Sequence, residues 1–375
     1  MYLEDLQLRN FRNYDSLKLK LNPHINIFYG NNAQGKTNLL ESIHVLGLTK
    51  SHLLNLDNNL IKDNENASKL KGTIKNSKFR KKLEIELHEN KKVLKIDGIE
   101  IKKITEYINS SLNVIIFYPE DLEIIKGSPN NRRNFINLEL SQLSDNYLKI
   151  LTEYNKLLKI RNDYLKKISK NIKIDETYFQ IITKYLIDKA IIIYKMRLKF
   201  IKKINENCGK IFHELTKLEG FNLKYVTNFI LDDDESKIKS NLLDIYEKNH
   251  KKEIKLGTTL YGPHRDDIEF YLKDKNIKIY GSQGQKRLAI LATKLSEIEI
   301  FKQFKNNTPI LLLDDVFSEL DEIKKNNIVK YISDDIQVII TTTELKNVSK
   351  FKSASIFKIK NGEVLKIKEV GKNGK

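Results

Sequence analysis

Eight consecutive residues, Gly30-Asn31-Asn32-Ala33-Gln34-Gly35-Lys36-Thr37, fill the phosphate-cradling pattern G-x-x-x-x-G-K-[ST]. Glycine lets the backbone wrap closely, so that successive N–H groups point at phosphate oxygens. In that arrangement Lys36 reaches the β- and γ-phosphates of a nucleoside triphosphate, and Thr37 offers its hydroxyl to Mg²⁺. A second group lies far along the chain, where the apolar run Ile310-Leu311-Leu312-Leu313 ends in Asp314-Asp315. A first carboxylate at such a strand end holds Mg²⁺, often through water; a second can orient or deprotonate the water beyond the γ-phosphate. Two more segments frame it. Ser318-Glu319-Leu320-Asp321 reads as a helix start, with Ser318 capping and Asp321 near the dipole. Ser282-Gln283-Gly284-Gln285 precedes Leu288, Leu291, Leu295, Ile298 and Phe301 at helical spacing. Ser282 and Gln285 fit a capping box, and a serine among bare N–H groups at a helix start also suits an anion.

These groups need elements to hold them. Residues 25–29 alternate in polarity like a strand, and Leu39, Leu40, Ile43 and Leu46 recur at helical spacing after the glycine loop. The helix start then adds its positive dipole end beside the phosphates. Leu17, Leu19, Leu21 and Leu83, Ile85, Leu87 alternate with polar neighbours as strands do. Residues 93–96, Asp97-Gly98 and 99–101 give a hairpin signal, and residues 112–117 a strand ended by Pro119. From residue 132 to 207 there is neither Gly nor Pro. Two long helical patterns there, with a reversal at 170–175, predict an antiparallel arm. After Gly257 the alternation of strand and helix returns, with buried parallel strands at 310–313 and 336–340 and a closing hairpin around Asn361-Gly362. The expected fold is α/β: a P-loop head built from both chain ends, residues 1–121 and 257–375, with a helical lid or arm inserted at 122–256.

Composition narrows the partner. The 375 residues hold 67 Lys and Arg against 49 Asp and Glu, a net charge of +18, which favours nucleic acid or another polyanion. The chain is also crowded with Lys, Ile and Asn, a bias that a genome's base composition alone can produce. Lys-rich stretches at 71–82 and 248–255 are solvated faces unless they align on one surface. Cys208 is the only cysteine, so an intramolecular disulfide is impossible and a reducing compartment is expected. The N-terminus lacks the regions of a signal peptide, and the longest apolar runs are too short to span a bilayer. The expectation is a cytoplasmic protein without membrane contact.

The order of these segments resembles the ATP-binding-cassette head of SMC-type chromosome proteins. Segment by segment it is closer to the RecF family of bacterial recombination mediators. Three stretches carry that likeness: Arg9-Asn10-Phe11-Arg12-Asn13-Tyr14; Phe117-Tyr118-Pro119-Glu120-Asp121-Leu122 with Lys126-Gly127-Ser128-Pro129 and Arg132-Arg133; and Gly262-Pro263-His264-Arg265-Asp266-Asp267. The resemblance implies a weak, DNA-stimulated ATPase with ATP and Mg²⁺ as cofactors. It implies an ATP-dependent homodimer in which ATP lies between the phosphate loop of one subunit and Ser282, with Gly284 and Gln285, of the other. Ser318 and Asp321 would sit at the subunit contact. Lys36, Asp314, Asp315 and Ser282 would be the catalytic set, and Thr37 and Asp314 the metal ligands. Implied partners are DNA at gaps or single-strand/double-strand junctions and RecO- and RecR-type proteins, with the strand-exchange recombinase loaded as the outcome.

Some positions depart from the broader pattern or have two readings. Asp315 stands where transporter-like and SMC heads usually carry Glu, although RecF-type sequences share the Asp; its shorter side chain implies slow hydrolysis. Thr341-Thr342-Thr343 occupies the place of the switch histidine, and Glu120 is the only stand-in for the metal-sensing glutamine. Arg12 either packs on the adenine or phosphates or is a solvated strand-end arginine. Arg132 and Arg133 either contact DNA phosphates or are one exposed and one ion-paired arginine. His264 either moves a proton or adjoins a structural Arg–Asp pair. The rival function is a nucleotide-binding motor subunit of a membrane transporter, against which the long insertion and the absence of a standard signature count. A nuclease-linked cassette is a further reading, for which the chain leaves no room after its final hairpin.

Overall fold

The computed structural model describes residues 1–51, 57–232, 234–305, 307–331, 335–348, 351 and 354–369. By its internal packing the chain divides into two units. One is Met1–Asp121, Lys210–Leu218 and Ile290–Lys375; the other is Leu122–Gly209 and Glu219–Ala289. Residues 257–289, grouped with the head on sequence, fall in the second unit because strand Asp267–Leu272 pairs with Phe221–Val226.

In the first unit, alternation of apolar and polar residues makes two six-stranded sheets. The antiparallel sheet runs in the order Tyr14–Lys20, Tyr2–Phe11, Ala67–Lys75, Arg80–His88, Lys91–Ile96 and Ile99–Glu100. Its register is set by tight turns such as Asp97-Gly98, whose φ angles are +51° and +84°. An irregularity at Glu4 lets both Leu3 and Leu6 face inward despite their odd spacing. The second sheet runs in the order Glu363–Glu369, Ala354–Lys360, Ile25–Tyr29, Val338–Thr342, Ile310–Asp314 and Val114–Phe117. All its neighbours pair parallel except the first two, which form the Asn361-Gly362 hairpin.

The helix Lys36–Leu48 packs against strands of both sheets, which is why nearly all of it is buried, Glu41, Ser42 and His44 included. An amphipathic stripe was the expectation; a helix covered on both faces needs none. At Gly72 a Cβ would meet Leu46 Cδ2 at 2.6 Å, so the helix lies directly on that strand.

The second unit holds the helices Pro129–Leu143 and Asp145–Ser169, most of the 41-residue helix Glu176–Thr216, and Glu235–Leu256. The chain reverses between Ser169 and Glu176, as the sequence predicts. The insertion is not wholly helical, however: Phe221–Val226, Asp267–Leu272 and Lys275–Asn276 form a three-stranded sheet. That pairing joins segments some forty residues apart, and no local pattern announces it. A buried polar network fixes the unit's interior. Arg161 and Glu253, both fully buried, pair at 2.7 Å, and the Arg161 guanidinium lies 4.4 Å from the Tyr246 ring centroid.

Candidate functional site

Parallel pairing decides where the chemistry gathers. Ile27 is in register with Ile340, and Leu313 with Ile340 from the other side, so three strands end together. At those carboxyl ends lie the glycine loop after Tyr29, Asp314-Asp315 and Thr341-Thr342. Ligands of open α/β sheets bind at this edge.

The loop is held from two sides. Gly30 is required by close approach, since a Cβ there would meet the Ile359 carbonyl oxygen at 2.4 Å. Gly35 has φ +103° and Ala33 φ +62°, left-handed conformations that turn backbone N–H groups to one side. Tyr14 Oη donates to the Gly35 carbonyl at 2.9 Å, and the Asn13 amide donates to the Gln34 carbonyl at 3.4 Å. The Asn361 and Gly362 backbone N–H groups donate to Gln34 Oε1 (2.7 Å) and its carbonyl (3.3 Å). Asn13, Tyr14 and Asn361 are thus positioning residues that the sequence reading missed. The Asn361-Gly362 signal was visible, but only as a hairpin turn.

Asn31, Asn32 and Ala33 are exposed at the rim. Lys36 is buried, and its ammonium donates to the carbonyls of Gly30 (2.6 Å) and Asn31 (2.8 Å). Burial pushes its pKa down, opposed by the charges of Asp315 and Asp314. Thr37 Oγ1 donates to Asp314 Oδ2 at 2.7 Å, joining residues 277 positions apart. Thr341 Oγ1 donates to Asp314 Oδ1 at 2.5 Å. Burial raises the Asp314 pKa against these two hydrogen bonds, and the nearby charges of Asp315 and Glu120 raise it further. Asp315 has φ +50°, donates its backbone N–H to the carbonyl and Oγ1 of Thr341 (3.2 and 3.1 Å), and keeps a buried Oδ1 without a hydrogen-bond partner. Like-charged carboxylates crowded together, one with an orphaned oxygen, form a seat for a cation. Among the described residues no three His, Cys, Asp or Glu converge on one metal position. Mg²⁺ fits such a set, because it takes one or two carboxylates and completes its shell with water and phosphate.

Thr342 is turned away, its Oγ1 donating to the Glu344 carbonyl, so the threonine nearest the carboxylates is Thr341. Arg12 is not the solvated strand-end arginine of one sequence reading. Its guanidinium is bidentate to the buried Glu41 (2.8 and 3.0 Å) on the loop helix, leaving it part-exposed and anchored. Glu41 was unforeseen because a buried helix position with a carboxylate breaks the apolar pattern.

A family model described as the RecF/RecN/SMC N-terminal domain matches residues 2–365. The DNA replication and repair protein RecF of Latilactobacillus sakei subsp. sakei (strain 23K) is 39% identical over 371 residues, covering 97% of this chain and 99% of that one. The chain belongs to the RecF family. The RecF of Listeria monocytogenes serovar 1/2a (strain ATCC BAA-679 / EGD-e) is likewise 39% identical over 370 residues, covering 98% of this chain and all of that one. A solved RecF–ATP structure, described as the recombination mediator in the RecFOR pathway, aligns with TM-score 0.90 at 34% identity over 98% of both chains. The Smc head from Pyrococcus furiosus aligns at TM-score 0.54 and 17% identity, covering 98% and 96%, which speaks to fold alone. The fold is thus a RecF-type, SMC-head-like cassette with an inserted subdomain.

In this RecF-family chain the remaining predicted site residues stand at or beside the starts of helices. Ser282 and Gln285 belong to the second unit and form the reciprocal capping box: Ser282 N–H to Gln285 Oε1 at 2.9 Å, and Gln285 N–H to Ser282 Oγ at 3.2 Å. Gly284, between them, is exposed. Asp321 is exposed and caps helix Glu322–Tyr331, its Oδ1 accepting from Lys324 N–H at 2.9 Å. Ser318 was the expected cap; instead it sits in a 3₁₀ turn and bonds the Asp315 carbonyl at 2.7 Å.

The motif around Gly262 is structural. His264 lies between Tyr154 Oη (2.6 Å) and the Thr259 carbonyl (3.1 Å), and burial pushes its pKa down to about 4. Arg265 bonds Thr259 and Thr258, not Asp266, so the expected Arg–Asp pair does not form. Arg132 is buried and bidentate to Asp267 (2.6 and 2.9 Å), and Arg133 donates to the Asp266 carbonyl; Arg132 is therefore not available to DNA phosphates.

Asp266 takes a hydrogen bond from Tyr225 Oη at 2.6 Å, and burial raises its pKa to about 7. A carboxyl raised above its unfolded value of about 3.9 stabilises fully below that pH, and loses the contribution as pH rises through the folded value. The melting temperature of Asp266→Asn, relative to wild type, should therefore climb between about pH 4 and pH 7. A difference constant across that window would contradict the assignment.

Proposed function

We propose that this chain is an ATP-dependent DNA-binding protein of replication and recombinational repair. In this reading Mg·ATP drives two copies together, and the dimer binds DNA at gaps or single-strand/double-strand junctions. It then helps load the strand-exchange recombinase with RecO- and RecR-type partners in the cytoplasm. The observation that carries the nucleotide part is the Thr37–Asp314 hydrogen bond beneath a braced phosphate loop. The likeness to RecF solved with ATP supports the rest.

Within that reading each side chain has a role. Lys36 meets the β- and γ-phosphates, while Thr37 and Asp314 hold Mg²⁺. Bound there, Mg²⁺ neutralises charge on the phosphates. Asp315, with its free oxygen, orients the attacking water; its short side chain supports slow turnover suited to resetting a clamp. Ser282, at an exposed helix start, meets the nucleotide of the partner subunit.

Two experiments test the reading. Binding to duplex, single-stranded and gapped DNA is measured with and without ATP, for wild type and Lys36→Arg. ATP-dependent affinity highest on gapped DNA, and lost in Lys36→Arg, is the expected result. ATP-driven dimerisation followed by light scattering should disappear in Ser282→Arg while nucleotide binding by the monomer persists. An undiminished dimer in that variant would remove the shared-site idea.

A further inference from the structure

The antiparallel sheet of the first unit buries one face and presents the other to solvent, as its clean alternation requires. Strand register puts on that outer face the lysines that sequence alone could not align. One row reads Lys20, Asp5, Thr73, Lys82 across four strands; the next reads Lys18, Gln7, Lys71, Glu84, Lys95 across five. The outer face carries two kinds of cation. Lys69, Lys71 and Lys95 share Glu84 and Glu86 at its centre, an internal ladder that leaves surplus positive charge. Arg9, Lys18, Lys20, Lys75 and Lys82 make no ion pair among the described residues, and all five are exposed.

We infer that this sheet face is a contact surface for the phosphate backbone of duplex DNA. The inference rests on the proposed DNA-binding function and gives it a location. A solvated face with no partner normally balances both signs; here cations outnumber acids, since Asp5 stands alone between Lys20 and Lys82 and the three central lysines already neutralise Glu84 and Glu86. The two rows contain no aromatic or large apolar side chain, and Tyr2, opposite Lys75 at the margin, is a lone half-buried ring beside them, which argues against a protein partner, whose interfaces rely on clustered anchors of that kind. The same scarcity argues against single strands, which are held by stacking on successive aromatic rings. Five strands about 4.8 Å apart set these charges across roughly 19 Å. Contacts of this type are sequence-independent and strongly salt-dependent.

The test uses the full-length protein with Mg·ATP and labelled blunt duplex DNA, titrated at several salt concentrations. The sheet variant is Lys18→Glu/Lys20→Glu/Lys82→Glu. Its matched control is Lys248→Glu/Lys251→Glu/Lys252→Glu, the same charge change on exposed positions of helix Glu235–Leu256. The sheet variant should bind at least about tenfold more weakly, with a slope of log affinity against log salt shallower by about 2.7, one phosphate contact per lysine. The control should stay within about twofold of wild type. Lys18→Gln/Lys20→Gln/Lys82→Gln, which adds no repulsion, should lose less in the same direction, and thermal melting should show both sheet variants folded. If wild type binds DNA and the sheet variant equals it, or if both Glu variants weaken equally, the face is not the contact surface. If wild type binds no DNA in any nucleotide state, the proposed function fails instead.

Discussion

Lys36→Met is expected to lower ATP turnover by about 10²–10³-fold, or ~3–4 kcal/mol of lost transition-state stabilisation. The side chain is buried at the base of the phosphate loop, its ammonium within 2.8 Å of the loop's own carbonyls. A charge so enclosed acts through a lower effective dielectric than at the surface, so its removal is felt strongly. Methionine keeps the length and apolar body of lysine, so the loop, braced independently by Asn13, Tyr14 and Asn361, should keep its shape. Steady-state phosphate release reads the effect, and melting temperature checks the fold. Turnover within threefold of wild type would show that the ammonium does not act on the transferred phosphate. Asp315→Asn offers a companion measurement at the opposite side of the site. It should slow hydrolysis while leaving nucleotide affinity nearly intact, because Asp315 is assigned to the water and not to the phosphates.

The second large effect concerns stability. Arg197 is 1% exposed, and its guanidinium donates to Tyr147 Oη (3.1 Å), Tyr225 Oη (3.0 Å), the Pro263 carbonyl (2.7 Å) and Asn137 Oδ1 (2.9 Å). Arg197→Met would leave four acceptors, two of them buried and two half-buried, without this donor and remove a cation near Asp266. Unpairing buried polar groups in this way costs about 3–5 kcal/mol. For a unit of this size that corresponds to a fall of roughly 10 °C in melting temperature. Arg197→Lys should recover only part of the loss, because one ammonium cannot serve the directions that the planar fork serves. A melting temperature within 2 °C of wild type in the Met variant would mean the network contributes little.

This network also explains why the Gly262 segment attracts attention as a motif without supplying chemistry. His264 and Asp266 are held by Tyr154 and Tyr225, and burial lowers the pKa of the first and raises that of the second, favouring the neutral form of each. A histidine held near 4 is neutral at physiological pH and serves as a hydrogen-bond bridge.

The amino-acid sequence by itself determined whatever depends on neighbours along the chain. The glycine loop between strand and helix, the Asp-Gly and Asn-Gly hairpins, the Ser282–Gln285 capping box and the long arm helices all follow from backbone preferences and spacings within a few residues. Tertiary structure decided what depends on pairing across long separations, where no local energy term chooses the partner. It set Thr37 against Asp314, turned Arg12 onto Glu41, gave the insertion a sheet by joining Phe221–Val226 to Asp267–Leu272, and made Asp321 the cap in place of Ser318. It also placed Lys18, Lys20 and Lys82 on one sheet face, because strand register, invisible in composition, fixes which side each residue faces.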